Sequence, residues 1–200
     1  MRKITVFTMI SLDGVMQAPG GPDEDTSGGF KFGGWTAPYT DESFGKILDK
    51  ELSEPFDMLL GRKTYEIFAS YWPKKTGSIA DPFNKAKKYV VSANGVDLTW
   101  RESILIKDGV VARIKALKKE DGPAFQVWGS SNLLQTLLKS DLVDELRLRI
   151  YPITLGIGKR LFAEGTIPAA FKLIDSKALP SGVILANYER SGEVKTGSFN

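Results

Sequence analysis

The stretch Leu59-Leu60-Gly61-Arg62-Lys63-Thr64-Tyr65-Glu66 decides the fold, because a short apolar run ends there in a glycine, two cations and a hydroxyl, just before a helical pattern begins. Gly61 lets the backbone turn closely, and Thr64 can serve as the N-cap or a first-turn residue of the helix, so that free N–H groups face an anion. Arg62 and Lys63 would add charge-assisted hydrogen bonds. The stretch therefore favours a phosphate site at this turn, and a solvated loop is the alternative.

A second glycine-rich turn, Gly129-Ser130-Ser131-Asn132, follows the apolar run from 125 to 128 and precedes leucines at helical spacing. Gly129 permits close approach of a ligand to the backbone, and one of the three polar residues after it can cap the helix. A pyrophosphate could therefore sit over this helix N-terminus. The turn lacks the lysine of a Walker loop and the spacing of the common dinucleotide fingerprint, so an ordinary capped strand-to-helix turn remains the alternative.

The composition excludes several classes of chemistry. The chain has no cysteine and no histidine, which rules out disulfides, thiolate nucleophiles, Ser-His-Asp triads and the usual zinc sites, and we expect no metal. Its 27 Lys and Arg residues stand against 24 Asp and Glu, so the net charge of +3 is too small to argue for a nucleic-acid partner. A small molecule is the expected partner.

The N-terminal region begins with a strand pattern over 4–10 rather than a long apolar segment, and no run approaches membrane-spanning length. A cytoplasmic protein without membrane contact is therefore expected. The region from Gln17 to Tyr39 is a long loop rich in glycine, proline and aspartate. Phe30, Phe32 and Trp35 could make it a lid over a pocket, and a surface excursion anchored by these aromatic residues is the alternative.

The middle of the chain alternates between strand and helix patterns, which predicts an α/β fold with a mainly parallel sheet and a C-terminal antiparallel hairpin. We predict one domain over 1–190 and a polar tail over 191–200. The predicted strands are 4–10, 58–60, 89–92, 104–106, 125–128, 146–151, 171–174 and 183–188, and the predicted helices are 41–52, 65–71, 110–119 and 132–138. Because ligands gather at the carboxyl ends of parallel strands, the turns at 13–14, 61–64, 92–94 and 129–132 are expected to meet at one edge of the sheet.

At these turns the sequence resembles the dihydrofolate reductase fold family, and more closely the branch that includes the C-terminal reductase domain of bifunctional riboflavin biosynthesis proteins. The resemblance covers nearly the whole chain. Its motifs are Ser11-Leu12-Asp13-Gly14, Leu60 to Glu66, Val91-Ser92, Trp128-Gly129-Ser130 and, the most specific of them, Leu142 to Phe162.

The resemblance implies a three-layer dihydrofolate reductase-like fold and an NADPH-dependent reduction of a bound heterocycle or carbonyl. Gly61, Arg62, Lys63 and Thr64 would lie at the adenine-side phosphates, where two cations beside a hydroxyl favour the phosphorylated cofactor. The other implied cofactor residues are Ser92 and Asn94 near the adenosine ribose, Gly129, Ser130, Ser131 and Asn132 along the pyrophosphate and nicotinamide ribose, and Met9 and Met16 beside the nicotinamide.

The catalytic acid is less clearly indicated. Asp41 matches the acid that contacts the pterin in dihydrofolate reductases, and its alternative role is an N-cap; Asp13 is the other candidate, and its alternative role is a turn aspartate. Leu134 stands where folate-reducing enzymes have a tyrosine, and Arg149 where they have a threonine, so the resemblance does not specify the substrate. A non-catalytic ligand-binding protein of the same fold therefore stays open, and an apolar sheet edge near the C-terminal hairpin predicts a homodimer.

Overall fold

The computed structural model describes residues 1–40 and 42–199 and is built around one eight-stranded sheet. The strands are β1 (Ile4–Ser11), β2 (Phe56–Gly61), β3 (Lys88–Val91), β4 (Ser103–Ile106), β5 (Ala124–Trp128), β6 (Glu145–Tyr151), β7 (Ala170–Ala178) and β8 (Ile184–Gly192). The α-helices are α1 (Glu42–Glu51), α2 (Arg62–Tyr71), α3 (Ala80–Lys85), α4 (Val110–Lys119) and α5 (Ser131–Lys139), and short 3₁₀ turns lie at Ser27–Gly29, Ala37–Tyr39 and Trp72–Lys74.

The strand order is β4-β3-β2-β5-β1-β6-β8-β7. The six strands from β4 to β6 in that order run parallel to one another. Strand β8 runs antiparallel to β6, and β7 runs antiparallel to β8. The predicted α/β fold, with a mainly parallel sheet and a C-terminal hairpin, is therefore confirmed. The carboxyl ends of β3, β2, β5 and β1 lie side by side at one edge of the sheet.

Helices cover both faces of the sheet, which gives three layers. On one face, β1 residues Ile4 and Val6 pack in a core with Ile114 of α4 and Leu134 and Leu137 of α5. The alternate residues of the strands point to the opposite face, as the two-residue period of a strand requires. There a second core joins Met58 and Leu60 of β2 to residues of α2 and α3, namely Tyr65 and Phe83.

Most elements differ from the predicted ranges by one to four residues at an end, and one helix was not predicted at all. Helix α2 begins at Arg62, directly after β2, rather than at Tyr65. Helix α3 was not predicted, because six residues that include Pro82 give no helical periodicity; it forms where Phe83 enters the second core. Strand β8 continues to Gly192, which pairs with Ala170, so the polar tail begins two residues later than predicted.

The helices of this fold are short. The longest of those described, α1, α2 and α4, have ten residues each, whereas a membrane span needs about twenty apolar residues. Within residues 1–40 and 42–199, no helix has the length and apolar character to cross a bilayer.

Candidate active site at the carboxyl ends of the parallel strands

A cavity of about 710 Å³ opens at the sheet edge where β3, β2, β5 and β1 end. This volume lies in the upper part of the range typical of ligand pockets. All the residues predicted to bind the cofactor line it: Met9, Met16, Gly61, Arg62, Lys63, Thr64, Ser92, Asn94, Gly129, Ser130, Ser131 and Asn132. The structure thus brings together turns that lie far apart in the sequence.

The β2–α2 turn presents an open helix N-terminus to the cavity. Gly61 is the N-cap of α2, and no side chain caps this end. Thr64 is therefore a first-turn residue and not the cap. The first N–H groups of a helix have no hydrogen-bond partner within the helix, so the backbone N–H groups of Arg62, Lys63 and Thr64 can donate to a bound anion.

The two cations of this turn already have carboxylate partners. The Arg62 guanidinium donates to Glu66 Oε1 at 2.9 Å on the helix surface, where both side chains are about half exposed. Lys63 Nζ donates to Asp25 Oδ1 at 2.7 Å across the cavity mouth. The exposed Arg62–Glu66 ion pair contributes little to stability, so a phosphate could replace Glu66 at low cost, whereas the Asp25 carboxylate is largely buried.

The β5–α5 turn lies against the β2–α2 turn. Gly129 and Ser130 both have positive φ, 65° and 67°, and Ser130 Oγ accepts a hydrogen bond from the Gly61 N–H at 2.9 Å. The sequence left open an ordinary turn in which a polar side chain caps α5. No side chain caps α5 in the structure, and the Ser130 hydroxyl instead holds the two turns together. A second open helix N-terminus, that of α5, therefore faces the cavity.

The third turn, after β3, contributes a polar rim to the cavity. Ser92 is buried, and its hydroxyl donates to the Gly95 carbonyl at 2.7 Å, which closes the turn. Asn94 lines the cavity beside it, and no hydrogen bond of its side chain is among the described contacts. Together with Arg62 and Lys63, these residues form the end of the cavity farthest along the sheet from β6.

The long loop from 17 to 39 forms one wall of the cavity, and its aromatic residues fit the anchored loop rather than the lid. Phe30 and Trp35 are buried in a third core, Phe32 is half exposed, and none of the three lines the cavity. These aromatic residues anchor the loop and do not cover a ligand. The loop residues that line the cavity are Gln17, Ala18, Pro19, Gly20, Glu24, Asp25 and Thr36.

The buried side chain of Gln17 organises this loop. Its Nε2 donates to the carbonyl oxygens of Asp25 and Ser27 at 2.9 Å each, and its Oε1 accepts the Lys159 N–H at 3.0 Å. Asp25 also accepts from Lys159 Nζ at 2.5 Å, in addition to Lys63. Burial acts to raise the pKa of Asp25, but the hydrogen bonds from Lys159, Lys63 and Ser27 outweigh it and lower the pKa.

Besides Asp25, two other acidic residues that the sequence analysis missed line the cavity. Burial raises the pKa of Glu24, against the opposing effect of the N–H groups of Gly20 and Gly21. Glu51, at the end of α1, forms an ion pair with Arg149 of β6. The spacing of Phe44, Leu48 and Glu51 in the sequence indicates that they share one face of α1. The sequence does not show that this face packs near β6, because that depends on the order of strands in the sheet.

The structure places Asp13 outside the residues that line the cavity. Its carboxylate accepts hydrogen bonds from Ser11 Oγ at 2.5 Å and from the N–H groups of Leu155 at 3.1 Å and Gly156 at 2.9 Å. Burial acts to raise the pKa of Asp13, but these hydrogen bonds lower it to about 2. Asp13 therefore braces two loops as an ionised carboxylate, and the geometry gives it no contact with a ligand in the cavity.

The other predicted acid, Asp41, lies outside the described residues, so its role stays a prediction. Across the part of the chain that the structure describes, no group of three or more acidic side chains is arranged to hold a metal ion.

Known proteins resemble this chain in sequence and in fold. The uncharacterized protein YyaP of Bacillus subtilis (strain 168) is 27% identical over 197 residues, which cover 96% of both chains. A putative riboflavin biosynthesis protein from Shewanella sp. PV-4 has a structure similar to this one at a TM-score of 0.65, with 21% identity and coverage of 94% of this chain and 99% of the other.

A dihydrofolate reductase from Enterococcus faecalis, solved in complex with NADP(H) and RAB-propyl, is similar at a TM-score of 0.60 and 13% identity, covering 94% of this chain and 96% of that one. These similarities show that the fold is dihydrofolate reductase-like. The profile of the family described as the RibD C-terminal domain matches residues 2–185. With the sheet order and the strand-end cavity, this match shows that the chain belongs to the RibD C-terminal domain family.

Proposed function

We propose that the protein is an NADPH-dependent reductase that transfers a hydride to a small heterocyclic or carbonyl substrate. The observation that carries the proposal is the pair of uncapped helix N-termini, those of α2 and α5, that face one cavity. Two such termini side by side suit a pyrophosphate, because each offers free N–H groups and the positive end of a helix dipole. The NADP(H) bound to the similar reductase supports this choice of cofactor.

The residues that line the cavity fit this cofactor. A Cβ atom on Gly61 would lie 3.4 Å from Ser130 Oγ, an ordinary van der Waals distance, which shows how closely the two turns lie together. Arg62 and Lys63 would bind the additional phosphate of NADPH, and the exposed Arg62 can exchange its carboxylate partner Glu66 for it. Ser92 and Asn94 would hold the adenosine ribose end.

The remaining proposed contacts follow the sheet from β5 to β1. Gly129, Ser130, Ser131 and Asn132 would bind the pyrophosphate and the adjoining ribose through the N-terminus of α5. Met9 and Met16 would border the nicotinamide ring, which supplies the hydride when the cofactor is bound. The protein then has to exclude water and deliver a proton.

A proton source is available beside the cavity in this proposal. Asp41, directly before α1, remains the acid that the family resemblance proposes. Glu24 is a second candidate, because burial raises its pKa and its side chain lines the cavity. A carboxyl group with a raised pKa is protonated closer to neutral pH and can therefore act as a general acid.

The alternative function is cofactor or ligand binding without turnover. It is favoured by one observation: Leu134, in place of the family's tyrosine, is fully buried in the core and contributes nothing to the cavity wall. Oxidation of NADPH in the presence of a pterin, pyrimidine or quinone substrate would exclude this alternative.

The test is a comparison of NADPH binding by the wild type and two matched variants. Arg62→Ala removes an exposed arginine that lines the cavity, and Arg113→Ala removes an equally exposed, ion-paired arginine on α4. We expect Arg62→Ala to weaken NADPH binding about tenfold, which corresponds to the loss of one charge-assisted contact, and Arg113→Ala to leave it unchanged. Equal affinities of all three proteins would refute the proposed phosphate site.

A further inference from the structure

The turn after β3 contains a dipeptide whose chemistry the proposed function does not use. Asn94 is followed directly by Gly95, whereas the other internal asparagines are followed by larger residues: Asn84 by Lys85, Asn132 by Leu133 and Asn187 by Tyr188. Asparagine is thermolabile, because the backbone nitrogen of the next residue can attack its side-chain amide. A glycine at the next position has no Cβ atom to hinder that attack. Asn94 is therefore the internal asparagine with the lowest steric barrier to this reaction.

The hydrogen bonds of the turn leave the attacking nitrogen weakly engaged. The Gly95 N–H donates to the Ser92 carbonyl at 3.4 Å, which is longer than an ordinary N–H···O hydrogen bond. The Gly95 carbonyl, in contrast, accepts from Ser92 Oγ at 2.7 Å. The turn thus holds the Gly95 carbonyl firmly and its N–H loosely, so the nitrogen is available as a nucleophile.

Asn94 lies open to solvent at the rim of the cavity. No hydrogen bond of its side chain is among the described contacts, so the amide has room to turn toward the Gly95 nitrogen. A Cβ atom built on Gly95 would have no neighbour within 4 Å. Water can therefore reach the reacting atoms, and no packing against Gly95 opposes a change in the backbone there.

The position of Asn94 gives the reaction a consequence for the cavity. Asn94 lines the same cavity as Arg62 and Lys63, the two cations of the proposed phosphate site. Its side-chain amide is uncharged, whereas a carboxylate at the same place is ionised at neutral pH. Because like charges repel, a carboxylate at this rim would oppose the binding of a phosphate in the cavity.

We propose that Asn94 is a site of spontaneous deamidation, and that the product binds a phosphorylated ligand less tightly than the unmodified protein does. A bond forms between the Gly95 nitrogen and Asn94 Cγ, the bond from Cγ to the side-chain nitrogen breaks, and ammonia leaves with the proton of the Gly95 N–H. Water then adds to one carbonyl of the cyclic imide and opens it to aspartate or isoaspartate. The effect on NADPH rests on the proposed function, whereas the modification itself does not.

The first test incubates the wild-type protein at neutral pH and physiological temperature and follows it by peptide mass spectrometry. Deamidation replaces a side-chain N–H group by oxygen, which raises the mass of the peptide that contains the residue. We expect the Asn94 peptide to convert while the peptides that contain Asn84, Asn132 and Asn187 remain unmodified. Conversion of Asn94 no faster than that of these three residues would overturn the proposal.

Two matched glycine variants assign the reaction to the Asn94-Gly95 pair. Gly95→Ala keeps the Asn94 amide and adds a Cβ atom that hinders the attack, so it should slow the conversion strongly. Gly109→Ala makes the same change at a glycine that also has positive φ and no neighbour within 4 Å of its Cβ position, and it should leave the conversion unchanged. Equal rates in the two variants would contradict attack by the Gly95 nitrogen.

The second test measures NADPH affinity before and after the incubation. We expect the converted wild type and the Asn94→Asp variant to bind NADPH about fivefold more weakly than the fresh wild type, the effect of one nearby like charge. Gly95→Ala should keep its own starting affinity over the same period. Conversion without loss of affinity would overturn the effect on the cavity. Conversion of a protein that never binds NADPH would refute the proposed function and still support the modification.

Discussion

Ser130 makes two opposing contributions to stability, and two substitutions separate them. Its hydroxyl accepts the Gly61 N–H at 2.9 Å, a hydrogen bond that contributes about 1 kcal/mol. Its backbone has a φ of 67°, where a residue with a Cβ atom is disfavoured by roughly 1–2 kcal/mol. Ser130→Ala removes the hydrogen bond and keeps the strained backbone. Ser130→Gly removes both the hydrogen bond and the strain.

We therefore expect Ser130→Ala to lower the free energy of unfolding by about 1 kcal/mol. We expect Ser130→Gly to change the free energy of unfolding little. Glycine relieves the backbone strain, and this gain offsets the lost hydrogen bond even though glycine also has greater entropy in the unfolded chain. Urea unfolding should show a lower midpoint at an unchanged slope for alanine, and the thermal midpoints of the two variants should differ by about 2–4 °C. An alanine variant at least as stable as the glycine variant would refute this reasoning.

Three other predictions concern stability and assembly. Asp57→Ala should cost about 3–5 kcal/mol in urea unfolding, because it leaves the buried Arg2 guanidinium without its carboxylate, and a loss below about 1 kcal/mol would contradict this. Burial and the nearby positive charge of Arg101 lower the pKa of Lys88 to about 8 in the folded protein, from 10.5. Between about pH 8 and 10.5 the unfolded chain therefore binds more protons than the folded one, so the free energy of unfolding should rise with pH. Lys88→Met should abolish that rise in unfolding curves measured as a function of pH. Leu173 and Ile174 are half exposed on the edge strand β7, so we expect a homodimer, and sedimentation that shows only a 22.0 kDa species would exclude it.

The sequence was sufficient to predict the turns of the site, for a physical reason. Glycine between an apolar run and a helical pattern marks a strand-to-helix turn, and strands that alternate with helices form a parallel sheet whose carboxyl ends share one edge. Gly61 and Gly129 could therefore be assigned to one cavity without coordinates. The role of Ser130 could not, because its hydroxyl contacts a backbone N–H 69 positions away.

The end of the cavity beside β6 could not be predicted from the sequence, because it depends on which helix face meets which strand. Glu51 and Arg149 are 98 positions apart, and they meet only because α1 packs over β6. The contacting aromatic rings of Phe7, Trp128 and Phe83 likewise come from β1, β5 and α3. Asp13 shows the opposite error: a polar residue after a strand resembles a ligand contact, but its partners, the N–H groups of Leu155 and Gly156, lie on a distant loop.

We propose that the strand-end cavity binds a phosphorylated nicotinamide cofactor. The most direct measurement is a titration of the wild-type protein with NADPH and with NADH, followed by nicotinamide fluorescence. We expect saturable binding, with NADPH bound at least about tenfold more tightly than NADH, because only NADPH carries the phosphate that Arg62 and Lys63 would bind. Equal affinities would contradict the role of the two cations, and no saturable binding of either cofactor would contradict the claim itself.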